Sequence, residues 1–106
     1  MDSDLVYGFG HFRLSPARRE LFGGGLLVKL GGRAFDLLVA LVESRDRMVG
    51  KSELLSRVWP RSVVEENNLN VQIVALRKAL GHAAIATIPG RGYRFTLAVE
   101  VSTDPP

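Results

Sequence analysis

The sequence predicts one small α+β domain, built from short antiparallel strands, three helices and a closing β-hairpin. Three observations predict it. Residues 6–30 carry β-forming side chains in short runs broken by tight turns. From residue 33 the apolar spacing changes to three and four, the helical period. Near the C-terminus two short β-forming runs flank Pro89-Gly90-Arg91-Gly92. A chain of 106 residues is enough for one domain and too short for two.

The elements follow in order. Tyr7, Phe9, Phe12 and Leu14 supply the first strands, and Ser15-Pro16 starts a turn. Glu20-Leu21-Phe22 runs into Gly23, Gly24 and Gly25, and a further strand over 26–30 ends at Gly31 and Gly32. Such a sheet needs helices on one face to be stable. Phe35, Leu38, Leu41 and Val42 form the stripe of a first helix over about 33–44, with Asp36, Glu43 and Arg45 off it. Met48 and Val49 form a two-residue strand. A second helix over 51–59 has Gly50 as N-cap and Glu53 at capping-box distance, with Leu54, Leu55 and Val58 inward and Pro60 as its stop. After a loop over 61–64, a third helix runs from about 66 to 80 and closes at Gly81. Glu65 and Glu66 at its start and Arg77 and Lys78 near its end suit the macrodipole. Residues 85–88 and 93–97 make the hairpin, and Ser102-Thr103-Asp104-Pro105-Pro106 reads as a linker-like tail over 98–106. Two helices on a short connection followed by a basic hairpin is a winged helix-turn-helix layout.

Composition excludes several functions. There is no Cys, so disulfides, thiol catalysis and Cys-based zinc sites are out. His11 and His82 have no companion at ligand spacing, and no metal or cofactor is expected. The apolar run over 35–42 is far too short to cross a bilayer, and Asp2 and Asp4 stand where a signal peptide needs positive charge, so a cytoplasmic domain without membrane contact is expected. Gly50-Lys51-Ser52 resembles a phosphate loop only superficially, because Arg45 stands where its first glycine belongs. No serine sits in a nucleophile elbow, and Glu65 and Glu66 are adjacent and face apart on a helix. No enzyme is expected.

The net charge is only +3, but residues 61–94 hold Arg61, Arg77, Lys78, Arg91 and Arg94 against Glu65 and Glu66 alone. Local concentration matters because salt screens charges beyond about 8 Å. Projected at the helical angle, Leu69, Ile73, Leu76 and Leu80 of the third helix share one face and belong to the core. The opposite face carries Asn67, Asn68, Val71, Val74, Ala75 and Lys78, flanked by Asn70 and Arg77 on one side and Gln72 on the other. A plain solvent face would favour Glu and Lys, and three Asn in the first turns are poor helix formers. A DNA-reading face explains them. Asn and Gln can bond two adenine atoms in the major groove, and the small apolar groups can meet thymine methyls. Arg77 and Lys78 suit phosphates. One of Asn67 and Asn68 can instead serve as a helix cap. Arg91, between two glycines at the hairpin tip, suits a narrow minor groove. Arg94 points outward because Tyr93 and Phe95 alternate with it, and either an ion pair or a DNA contact fits it. Trp59 reads as helix packing.

The residues Glu65-Glu66-Asn67-Asn68-Leu69-Asn70-Val71-Gln72-Ile73-Val74-Ala75-Leu76-Arg77-Lys78-Ala79-Leu80-Gly81, then Ile88-Pro89-Gly90-Arg91-Gly92-Tyr93-Arg94-Phe95, resemble the effector domain of OmpR/PhoB-type bacterial response regulators, over about residues 5–97. The same module stands first in CadC- and ToxR-like regulators. The resemblance implies a four-stranded N-terminal sheet, a third helix in the major groove and a wing at the minor groove. It also implies direct-repeat DNA sites, a two-component-like phosphorelay context, and contact with RNA polymerase through the 60–64 loop. Val74 and Ala75 replace two arginines of the phosphate-regulon type, and Pro89 replaces a third. Reading therefore shifts toward Asn67, Asn68, Gln72 and Arg91. The chain begins directly with the winged domain, so a sensing domain is expected downstream. The alternative from another class is a winged-helix module that binds protein and lacks useful DNA affinity.

Overall fold

The structure, a computed structural model, describes residues 4–104. Asp2, and Pro105 and Pro106 of the expected tail, lie outside the described residues. In chain order the elements are β1 (Asp4–Phe9), β2 (Phe12–Ser15), β3 (Glu20–Gly23), β4 (Leu26–Leu27), α1 (Gly32–Glu43), β5 (Val49–Gly50), α2 (Lys51–Val58), α3 (Glu66–Leu80), a 3-10 turn (His82–Ala84), β6 (Ile85–Ile88), β7 (Gly92–Phe95) and β8 (Glu100–Asp104). They fall into two units, one holding residues up to 29 and from 97, the other Leu30–Thr96.

The first unit is an antiparallel sheet in the order β4-β3-β2-β1-β8. Its register sets Tyr7 opposite Leu14 and Leu14 opposite Leu21. All three are buried, so one face of the sheet carries a continuous apolar row. The four N-terminal strands are those expected, although β4 is only two residues long, with Leu26 and Leu27 exposed. The tail departs from expectation. Residues 100–104 are not linker but strand β8, with Val101 opposite Tyr7 and Thr103 opposite Leu5. The polar side chains of this segment hid it, because an edge strand is held by main-chain hydrogen bonds and needs few apolar groups of its own.

The second unit holds the three helices and a small sheet in the order β5-β7-β6. Helix α1 buries Ala34, Leu37 and Ala40 besides the expected Phe35, Leu38, Leu41 and Val42. Helix α2 contributes Leu54 and Val58, and α3 contributes Leu69, Ile73 and Leu76. Leu80 is only half-buried, because it stands in the last turn.

Arginines tie α1 to α2. Arg33 Nη1 donates to the Val58 carbonyl at 2.7 Å, and its guanidinium lies 6.0 Å from the half-buried Trp59 ring. Arg57 donates to Ser44 Oγ at 3.0 Å and to Glu43 at 2.9 Å. Gly50 does cap α2, but Glu53 does not close a capping box. Glu53 takes two hydrogen bonds from Arg47 at 3.1 and 2.6 Å, which lower its carboxyl below the usual range and raise the Arg47 guanidinium. A charged fork with two matched donors outcompetes a single backbone N–H.

Candidate nucleic-acid interface

The reading helix starts from Glu65, whose extended backbone is the N-cap, and ends at Gly81, whose φ of 93° few other residues adopt. Its outer face stands as the periodicity requires. Asn67, Asn68, Asn70, Val71, Val74 and Lys78 are exposed, and Gln72, Ala75 and Arg77 are half-buried. Val71 and Val74 retain 54% and 64% exposure, small apolar groups placed where they can touch a groove floor.

The wing is β6 and β7 joined by a tight turn. Arg91 N donates to the Ile88 carbonyl at 3.0 Å, with Pro89 second and Gly90 third at a φ of 73°. That pairing of Pro and a left-handed Gly marks a type II turn. It lifts Arg91 to the exposed tip. Tyr93 and Phe95 are buried and Arg94 is exposed, as their alternation predicts.

The base of the wing is fixed to the helices. Strand β5 pairs Val49 with Tyr93 and Gly50 with Gly92. A Cβ on Gly92 would overlap the Val49 carbonyl, so only glycine fits there. The backbone N–H of Lys51 donates to the Arg91 carbonyl at 3.2 Å. The Lys51 ammonium meets Glu66 at 2.8 Å, a hydrogen bond that raises the lysine above its ordinary range.

Three predicted site residues prove to be engaged inside the domain. Asn68 donates its amide to the Glu65 carbonyl at 3.2 Å, but no side chain caps the helix, so the capping expected of Asn67 or Asn68 is not what the structure shows. Asn70 accepts a hydrogen bond from the Tyr93 hydroxyl at 3.1 Å. Arg77, expected at a phosphate, is anchored to the wing. Its Nη2 donates to the Ile85 carbonyl at 2.8 Å and to Thr87 Oγ1 at 2.7 Å, both on β6. A flank position beside a strand gives a long guanidinium a nearer acceptor than solvent-borne phosphate. The sequence reading missed Lys51, Glu66, Thr87 and Tyr93 as members of this framework. Tyr93 was recognisable only as an inward aromatic; nothing local showed where its hydroxyl would end.

The family model described as "Transcriptional regulatory protein, C terminal" matches residues 25–95. The chain belongs to this family. Among relatives of the family, the chain is 36% identical over 85 residues to the transcriptional regulatory protein CutR of Streptomyces coelicolor, covering 78% of this chain and 39% of CutR. It is 30% identical over 100 residues to the transcriptional activator CadC of Escherichia coli, covering 89% of this chain and 20% of CadC. The chain therefore spans well under half the length of these relatives. The solved DNA-binding domain of E. coli CadC superposes with a TM-score of 0.80 at 28% identity, over 93% of this chain and 98% of that domain. The family's fold is thus the one seen here, three helices with antiparallel sheets and a wing. The family is one of transcriptional regulators and is not an enzyme family. Among the described residues no helix is long and apolar enough to cross a membrane, and no group of acidic or histidine side chains could hold a metal ion.

Proposed function

We propose that this domain binds double-stranded DNA sequence-specifically as part of a bacterial transcription regulator, with α3 in the major groove and the β6–β7 wing at the minor groove. The observation that carries the reading is the outer face of α3. It leaves Asn67, Val71, Val74 and Lys78 exposed on a helix rigidly backed by a buried Leu69-Ile73-Leu76 row. Asn67 and Gln72 read base edges, Val71, Val74 and Ala75 meet the groove floor, Lys78 and Arg94 take phosphates, and Arg91 enters the minor groove. Asn68 contributes less, because its amide already serves Glu65. Superposition on the DNA-binding domain of Klebsiella pneumoniae RstA, solved with its RstA box, supports this docking (TM-score 0.73, 28% identity, 86% of this chain and 96% of that domain).

The wider assignment is of the same kind. The domain acts in the cytoplasm, without catalysis, on direct repeats whose half-sites lie about 10–11 base pairs apart. The 60–64 loop meets RNA polymerase, and its fully exposed Val63 supports that role. Binding to random duplex at rising salt tests the core of the reading. Affinity should fall steeply as counterions are released. Selection from a random pool should then return a defined site. Absence of salt-sensitive DNA affinity would instead favour a protein-binding module.

A further inference from the structure

The side of α3 that faces the wing carries Glu66, Asn70 and Arg77. The polar head of each is held by another element: Glu66 by Lys51, Asn70 by Tyr93, Arg77 by Ile85 and Thr87. Asn70 differs from the other two. Tyr93 occupies its Oδ1, and the side chain is exposed, so its Nδ2 donors face outward. The Tyr93 hydroxyl is the donor and Asn70 Oδ1 the acceptor, so Asn70 offers its oxygen to the wing and its amide hydrogens outward.

A helix in the major groove and a wing in the adjacent minor groove straddle one sugar-phosphate strand. The cleft between α3 and β7 is where that strand runs. We infer that Asn70 is a phosphate contact, and that Tyr93 is the positioning residue that turns its donor edge toward the DNA strand between the two grooves. The inference rests on the proposed docking. It takes Asn70 out of base reading and gives the helix–wing cleft a phosphate ligand beside Arg77, whose Nη2 is held by β6. Were the amide reversed, its oxygen would face a phosphate oxygen and repel it. The tyrosine hydroxyl therefore sets the sign of the contact without touching DNA.

The test uses the selected site and a series of duplexes, each with one phosphate replaced by a neutral methylphosphonate. Among the positions that weaken wild-type binding, one should do so about tenfold through Asn70. Asn70→Ala should weaken the unmodified duplex about tenfold, lose sensitivity at that position, and leave every base preference intact. Asn70→Asp, which sets a carboxylate against the phosphate, should lose about a hundredfold and regain most of it on the neutral duplex. Tyr93→Phe should keep the ring packing and lose sensitivity at the same position. If Tyr93→Phe does not fold, the two Asn70 variants decide the matter alone. A change of base preference in Asn70→Ala, no recovery in Asn70→Asp, or wild-type phosphate sensitivity in a folded Tyr93→Phe overturns the inference while DNA binding stands. Wild-type protein without salt-sensitive DNA affinity defeats the docking itself, and the inference with it.

Discussion

The two exposed sides of α3 differ in kind. On the wing side, Glu66, Asn70 and Arg77 are joined to Lys51, Tyr93 and β6. On the outer side, Asn67, Val71, Val74 and Lys78 stand exposed. Both sides carry polar side chains in sequence, and helical angle separates their centres by only about a quarter-turn. The difference shows that one helix can be scaffold along one flank and ligand surface along the next. A polar side chain becomes structural when a neighbouring strand brings an acceptor or donor within reach.

The strongest way to break the scaffold side is at its root. Gly92→Ala forces a Cβ into the Val49 carbonyl, where neither backbone can yield. It should cost about 3 kcal/mol of stability through overpacking. Urea denaturation should show the loss, and DNA affinity should fall for all sequences together as the wing detaches. The outer side should respond in the opposite manner. Asn67→Ala should leave stability within about 0.5 kcal/mol, as an exposed substitution does. On the preferred site it should lose roughly 5- to 150-fold, the worth of one bidentate adenine contact, and little on scrambled duplex. Asn68→Ala should lose less specificity than Asn67→Ala. If the two variants shift the ratio of preferred to scrambled binding equally, the hydrogen bond from Asn68 to Glu65 does not withhold its amide from DNA.

The contrast also explains what was legible in the sequence. The three helices, the hairpin and the buried row of α3 follow from period, caps and turn residues, which are local signals. Tyr93 and Phe95 inward with Arg94 outward follows from strand alternation. The pairing of β8 with β1 was hidden, because it joins residues almost a hundred positions apart and rests on main-chain bonds. The same holds for the site. Exposure of Asn67, Val71, Val74 and Lys78 was visible in the helical projection. The partners of Asn70 and Arg77 were not, because each lies on a strand whose distance from α3 only the packed fold determines. Glu53 was misassigned for a related reason, since Arg47 competes for it from before the helix.

Arg77→Ala sharpens the comparison at an intermediate magnitude. A phosphate contact would weaken all duplexes and make the salt dependence shallower. The hydrogen bonds to Ile85 and Thr87 predict something else. Stability should fall by about 1–3 kcal/mol, because the part-buried Ile85 carbonyl loses a charged donor. The slope of log affinity against log salt should stay as in wild type once binding is corrected for the folded fraction. A shallower slope with unchanged stability would return Arg77 to the outer side.

The smallest effect lies at the start of the wing side, in the Lys51–Glu66 pair. Both side chains have solvent access, so screening limits what the pair contributes. Its signature is a pH dependence. The Glu66 hydrogen bond raises the Lys51 ammonium above its ordinary range, so the folded state holds that proton more tightly than the unfolded chain does. Stability from the pair is therefore complete below the ordinary lysine range and is lost as pH rises through the higher folded value. Thermal melts of wild type and Glu66→Gln should run parallel at neutral pH and converge in strong alkali, where Lys51 is neutral in both. Because Lys51 also gives its backbone N–H to the Arg91 carbonyl, the same pair bears on the wing tip. Glu66→Gln should accordingly lower binding to AT-rich flanks slightly more than to GC-rich ones, through the Arg91 contact with a narrow minor groove. Melts that stay parallel into strong alkali would show that Glu66 belongs with the outer side of the helix, as a solvated charge.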